Sequence, residues 1–384
     1  MSRIVVRLVC LSFLILIALP AIADEGRIPI PFTSPVATPI AITTPGRYFL
    51  TRNIAPTAAG PIIDVNVGTL PGDVEIDLNG FILNNTLNPG FAVIRVSVGA
   101  APTREVTIRH GALQGGSRSI EVMGGAGLLA RKLVIEDVRS TSATTDGIYI
   151  DSVMDFLVSR CIVVDAGDVG IRVENIVAPA TIQGTIEGNL VRNCQDGITV
   201  NGGPPLATVA ILNNRVESVA AGGPYGAGIH VGNCFASLLS ENTIRETSGL
   251  IGLGTCIRLA NTSGSKLFDN VITRCAFHGI HLDATSNDNY VVRNVVRESS
   301  GAANAGLRID GDRNHIEANL SNDNGGHGLE FFAGADNNVY RQNVARGNLG
   351  AACAPAACSP NFCNGGAGNS SNLDNFMPLG AGCN

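Results

Sequence analysis

An Asn followed two residues later by an aliphatic, then a turn-rich stretch, then a short strand written Gly-Ile-x-Val recurs along most of this chain. Clean copies begin near residue 181 and include IEGNLVRNCQDGITV, LFDNVITRCAFHGIHL and IEANLSNDNGGHGLEF. The Asn column reads Asn189, Asn214, Asn242, Asn270, Asn294, Asn319 and Asn343; going backward, the same slot is read at Cys161, Asp137, His110 and Asn79. From Asn79 to Asn343 there are 264 residues in ten steps, a mean of 26.4. A second column, Gly147, Gly170, Gly197, Gly228, Cys256, Gly279, Gly306 and Gly328, keeps the same period independently. Two columns with one period define a repeat array, whose units are too small to bury an apolar face except against their neighbours.

Each copy carries two runs of alternating aliphatic and polar residues, such as Ile280 and Leu282 or Leu307 and Ile309, so each strand has one dry and one wet face. Stacking the copies in register sets equivalent aliphatics about 4.8 Å apart and pairs every interior strand on both edges. The expected fold is therefore all-β: a right-handed parallel β-helix of about ten to eleven coils with N- and C-terminal caps. The Asn column would form an internal amide ladder, which makes those residues, and His110 with them, structural. A leucine-rich repeat has a similar period, but it needs a helical segment where this sequence writes a second Val/Ile strand and Gly/Ser/Asn linkers. Composition agrees: charged residues are only 15%, and there are 46 glycines, far from a helix-rich chain.

The expected organisation is a signal peptide over 1–23, a Pro-rich N-terminal cap over 24–60, the parallel β-helix over 61–350 and a cysteine-containing tail over 351–384. The leader reads Arg3 and Arg7, an apolar run from Leu8 to Leu19, then Ala21-Ile22-Ala23, which predicts a secreted or periplasmic protein with no membrane attachment after cleavage. Loss of two arginines moves the formal charge from -6 to -8, which argues against nucleic acid as a partner. Nine cysteines remain after the leader. Cys353, Cys358, Cys363 and Cys383 cluster in the tail, where two disulfides are expected with the pairing open. The chain is expected to be a monomer.

The segments PGRYFL, VEIDLNGF and VTIRHG, followed by the Asn-x-aliphatic copies, resemble the pectin-lyase-like right-handed β-helix superfamily, in particular its secreted bacterial repeat proteins. The likeness spans about residues 40 to 350. It implies a partner that is an acidic polysaccharide or another glycan. The signatures of the hydrolytic members are missing: only Gly326-His327-Gly328 appears, with no Asp-Asp pair, and two-carboxylate hydrolysis needs both acids. The Asp-Pro-His-Asp motif of alginate epimerases is absent too.

Outward positions of the Gly-Ile-x-Val strand read Tyr149, Arg172, Thr199, His230, Arg258, His281, Arg308 and Glu330, and two residues further on come Asp283 and Asp310. Such a row suits a uronate. Arginines clamp a carboxylate and acidify the adjacent C–H, a His moves a proton near neutral pH, and an Asp orients the imidazole. His281, Arg308, Asp310 and Asp283 are the expected catalytic set, with Arg258, His230 and Arg172 binding substrate. The structural alternative is a polar outer strand face with surface ion pairs. No cofactor is required; DATSNDN (283–289) and DGDRN (310–314) carry oxygen ligands that could hold Ca²⁺, but they lack a full loop pattern and turn chemistry is the better explanation. Two functions stay open, a lyase or epimerase acting on acidic polysaccharide and a non-catalytic extracellular protein that binds glycan or serves as structure.

Overall fold

The computed structural model describes residues 26–30, 39–66, 72–98, 105–124, 132–174, 182–203, 207–249 without 221 and 224, 254–350 without 302 and 303, 361–371 and 375. The expected leader and Cys353, Cys358 and Cys383 lie outside them. Every named element is a strand, and every strand pairing is parallel between successive rungs. The chain is a right-handed parallel β-solenoid with three faces.

Face 1 is a sheet of 13 strands running from Ile40–Ile42 to Phe362–Asn364. Faces 2 and 3 are joined into one sheet of 23 strands, because Glu105–Gly115 and Lys132–Thr141 run unbroken around the corner between them. A typical rung passes from Ile280–Leu282 on face 1 through Tyr290–Val292 on face 2 to Val295–Arg297 on face 3. The repeat therefore holds three strands, where two were expected. The additional strand precedes each Asn and, from Leu238–Ser240 to Val339–Arg341, is only three residues long, too short to show alternation of its own. The stack also reaches into both expected terminal segments, since Gly46–Phe49 pairs with Val74–Asp77 and Phe362 with Leu329.

The core is a set of aliphatic columns running along the axis. Ile257, Ile280, Leu307 and Leu329 are in register on face 1, as are Leu259, Leu282, Ile309 and Phe331, and all are buried. Face 2 adds Leu239, Leu267, Val291 and Ile316, and face 3 adds Ile244, Ile272 and Val296. The Gly column has a packing cause: a Cβ on Gly279 would come within 2.2 Å of Val296 Cγ1 and 2.5 Å of the Gly306 carbonyl oxygen. Where this slot holds Cys256, its sulfur crosses the corner to Cys275 as a disulfide. That bond was not expected from the sequence. In the tail, Cys363 is disulfide-bonded.

Amide ladders hold all three corners. Between faces 2 and 3, Nδ2 of Asn189, Asn214, Asn242, Asn270, Asn294 and Asn319 each donates to Oδ1 of the next Asn in line, and Asn343 continues to Asn375. A second ladder links Asn289, Asn314, Asn338 and Asn369 at the corner between faces 1 and 2; a third links Asn324, Asn348 and Asn361 between faces 3 and 1. Toward the N-terminus the first ladder ends at Cys161, whose N–H donates to Asn189 Oδ1. The expected continuation through Asp137 and His110 is corrected by the register, which pairs Val138 with Gly111. His110 and Asp137 sit one residue before that slot and Asn79 two, since Ile82 pairs with Ala112, and all three are in left-handed turn conformation with φ of 59°, 54° and 51°. His110 is consequently an exposed turn residue facing Asp77 and Asp137, with its Nδ1 3.4 Å from Asp77 Oδ1.

Asn270 shows what one ladder member holds. Its Nδ2 donates to the Leu239 carbonyl and to Asn294 Oδ1, while its Oδ1 accepts from both Nδ2 and the backbone N–H of Asn242. Asn270→Ala strands several fully buried polar groups at once, each costing about 1–3 kcal/mol. The expected loss of unfolding free energy is about 4 kcal/mol in a urea titration. Asn261→Gly, at an exposed position with left-handed backbone, should cost less than about 1 kcal/mol, and equal losses at the two sites would contradict the ladder's structural weight.

Candidate active face

Face 1 stacks its outward side chains without a register break. Asp64, Arg95, Glu121, Tyr149, Arg172, Thr199, His230, Arg258, His281, Arg308, Glu330 and Cys363 are successive partners. Alternation sets this row: Ile280 and Leu282 point into the core, which leaves His281 outward. Because rungs are about 4.8 Å apart, Arg172 lies four steps, about 19 Å, from His281. The seven expected site residues thus fall into separate neighbourhoods.

The tightest neighbourhood is His281, Arg308 and Asp310. His281 Nε2 is 3.0 Å from Asp310 Oδ2, and Arg308 Nε donates to Asp310 Oδ1 at 2.8 Å. Burial pushes the Asp310 carboxyl up, but the hydrogen bonds and charges of His281 and Arg308 outweigh it, and the group is held below its ordinary range. An ionised Asp310 fixes the imidazole tautomer, with the proton on Nε2 and the lone pair on Nδ1. Arg308 also lies over the Phe332 ring at 4.1 Å, and its Nη1 is 3.6 Å from Glu330 Oε1. Burial raises the Glu330 carboxyl.

His278, which sequence reasoning passed over, stands beside this group with ring centroids 5.1 Å from His281. It is 1% exposed, and its Nδ1 accepts the Ala305 N–H at 3.0 Å. Burial first, then the charges of His281 and Arg308, push it down to about 3. The spacing His278–His281 across the Gly279-Ile280 pair was the only signal available.

Two rungs before His281, His230 is not the open binding residue that was expected. The Tyr225 ring stacks on it at 4.3 Å and 14°, leaving it 4% exposed, and burial lowers it to about 3. Arg258 follows, half-buried, its Nη1 3.5 Å from the Tyr225 carbonyl oxygen and its Nε buried without a partner. Arg95 pairs with Asp64, Arg172 with Glu174 and Asp168, and Arg308 with Asp310. Among the described residues Arg258 is thus the one guanidinium of the row without a carboxylate. Arg172 belongs to a separate network with Asp146, Asp168 and Glu174.

Asp283, expected beside His281, is committed to the corner. Its Oδ1 accepts from the N–H groups of Asn261 and Thr285 and from Thr285 Oγ1 and Ser286 Oγ. This is turn chemistry of the side-chain-to-backbone kind. The other carboxylates of the two oxygen-rich segments go elsewhere: Asp288 to Arg313, and Asp312 to the Asp336 N–H. The described residues contain a single close group of three metal-ligand type, His327, Glu330 and Cys363, with ligand atoms within 4.8 Å. Its sulfur is already in a disulfide, which leaves one imidazole and one carboxylate.

Two family models match parts of the chain: a right-handed beta helix region over residues 76–231 and a periplasmic copper-binding protein, NosD, over residues 185–349. Comparison with curated protein sequences gives no match. Among solved structures, a mutant of the periplasmic alginate epimerase AlgG is 12% identical, with a TM-score of 0.50, covering 87% of this chain and 78% of its own. The catalytic unit of a GH87 alpha-1,3-glucanase from Streptomyces thermodiastaticus is 16% identical with a TM-score of 0.48, and this chain, 93% covered, spans 65% of its length. The A-module of the Azotobacter vinelandii mannuronan C-5 epimerase AlgE4 is 12% identical with a TM-score of 0.43, covering 92% and 88%.

Copper is carried in one family name, and among the described residues the one close trio of metal-ligand type has its sulfur in a disulfide. Residues 185–349 contain no Met, and soft copper ligation draws on thioether, thiolate and imidazole. Of the five histidines there, His278 Nδ1 accepts a backbone N–H, His281 Nε2 meets Asp310, His315 Nε2 meets Glu317 at 2.8 Å, His230 lies beneath Tyr225 and His327 belongs to the trio, while the buried thiols of Cys194 and Cys234 are free. Register, three-faced stacking and family matches over residues 76–349 agree on one architecture, and the chain has the right-handed parallel β-helix fold of the pectin-lyase-like superfamily.

Proposed function

We propose that face 1 is a site for acidic polysaccharide, with Arg258 receiving a uronate carboxylate and His281 taking the proton from the carbon beside it. The observation that carries this is the unneutralised guanidinium of Arg258, one rung from an imidazole oriented by Asp310. A carboxylate held by Arg258 is charge-compensated, which stabilises negative charge developing on the adjacent carbon. His281 Nδ1 supplies the lone pair for the transfer, and Asp310 together with Arg308 holds the ring. Elimination of the 4-linked sugar from that carbanion makes a lyase; return of a proton to the opposite face makes an epimerase. Both begin with the same step. The reading adopts the substrate class in the name of the alginate epimerase. The Cys256–Cys275 disulfide supports an exported location.

Retention on immobilised polymannuronate and polygalacturonate tests the first step. Arg258→Gln should weaken retention about 10–100-fold, the worth of a charged hydrogen-bonded contact, with little change in thermal midpoint. Ultraviolet absorbance of unsaturated ends and uronate stereochemistry, followed with and without Ca²⁺, then separate lyase from epimerase. A wild-type protein that neither retains nor alters any uronate polymer would end the proposal. One that retains without changing the polymer would instead establish a binding protein.

A further inference from the structure

The corner following face 1 contains a second feature, separate from the charged row. Asn233, Phe235, Asn261, Thr262, Ser263 and Thr285 line a cavity of about 240 Å³. None of these side chains is charged, and Phe235 is 47% exposed. Asn233 and Asn261 take left-handed backbone conformations, with φ of 53° and 52°, which turn their side chains out of the stack. Outside the core they form a short surface ladder: Asn261 Nδ2 donates to Asn233 Oδ1 at 2.8 Å, and Asn233 Nδ2 to Asn201 Oδ1 at 2.7 Å. Asp283 braces the rim by accepting from the Asn261 N–H and from Thr285. Parallel bridges from Phe235 to Ser263 and from Ser263 to Asn287 fix the floor.

An aromatic plane beside a fan of amides and hydroxyls, with the one carboxylate at the rim, Asp283, already accepting from Asn261 and Thr285, matches a pyranose. Its C–H face stacks on the ring while its hydroxyls meet the amide edges. Asn261 is three residues beyond Arg258 on the same chain, about 10 Å at ~3.3 Å per residue. We infer that this cavity is a sugar-binding subsite contiguous with the Arg258–His281 site, so that a glycan lies parallel to the strands, along a rung, rather than along the axis. The placement of the chain rests on the acidic-glycan reading; the recognition of a pyranose by Phe235 and the amides does not.

The sequence contains no tryptophan, so Phe235→Trp installs a sole tryptophan in the cavity, excited selectively above the tyrosine absorption. Oligomannuronates and oligogalacturonates of two and six residues are titrated against it, with Phe235→Ala and Arg258→Gln measured in parallel by calorimetry. The hexamer should shift the tryptophan emission and saturate. Phe235→Ala should weaken the hexamer about 3–10-fold, the usual worth of one aromatic stacking contact, and leave the dimer unchanged. Hexamer binding that depends on Arg258 yet neither moves the fluorescence nor responds to Phe235→Ala overturns the subsite and spares the acidic-glycan reading. A fluorescence response that is indifferent to Arg258→Gln does the reverse. A protein that binds neither oligomer overturns both.

Discussion

His281→Gln is expected to lower turnover of a uronate polymer by about 10²–10⁴-fold, the range for losing one positioned base, while retention falls far less. Gln preserves the volume and a polar contact to Asp310, so the rung should remain folded; what disappears is the Nδ1 lone pair. Asp310→Asn should act more weakly and in a different coordinate. The imidazole loses the partner that orders its tautomer, so the pH profile of kcat should move as well as its height. If His281→Gln retained full turnover, proton abstraction by this residue would be wrong whatever the polymer.

Stability should fall steeply with acidification well above the range in which carboxylates titrate. His230 and His278 are buried and held down to about 3 from an ordinary 6.5. Below pH 6.5 the unfolded chain binds protons at these positions and the folded chain does not, so the stability present above 6.5 is lost as the pH drops toward 3. Each group contributes a slope of about 1.4 kcal/mol per pH unit. Between pH 6.5 and 4.5 the pair should remove about 4 kcal/mol of unfolding free energy, read from urea midpoints. A protein in which His230→Asn and His278→Gln are combined should lose much of that slope, since Gln can still accept the Ala305 N–H. Asp310 works lower down: its carboxyl is depressed, so its contribution is kept above the ordinary carboxylate range and lost as the pH falls through its folded value. A flat profile from 6.5 to 4.5 in the unaltered protein would contradict the burial of the two imidazoles.

Much of the architecture was readable because a parallel stack converts sequence period into spatial columns. The Gly slot marks where a Cβ would meet the neighbouring face, and the Asn slot marks a corner that needs amides, so both recur at the rung length. What escaped were features without a period. Three-residue strands such as Leu267's and Val291's carry one inward residue each and leave no alternation to read. The backward extension of the Asn column slipped by one at Asp137 because an acidic turn residue and a ladder Asn look alike in sequence; the backbone angle separates them. For the site, the order of the row follows from alternation alone, which is why Arg258, His281 and Arg308 stand on successive rungs. Engagement does not follow from it. Asp283 and Asp310 hold equivalent places after their strands, yet one braces a turn and the other an imidazole, and that difference depends on Thr285, Ser286 and Arg308. Tyr225 over His230 comes from a corner insertion, whose path no repeat pattern specifies.

The head-to-tail amide chains have an evolutionary corollary. Along the Asn ladders successive links are chemically alike, so excising residues 295–319 would seat Asn294 on Asn343 and Asn289 on Asn338 and restore those two junctions. The same excision would bring His281 against Glu330 and delete Arg308 and Asp310 outright. Gain or loss of a whole coil is thus nearly neutral for folding and decisive for chemistry, which lets a lineage change its activity by altering copy number while the scaffold stays intact.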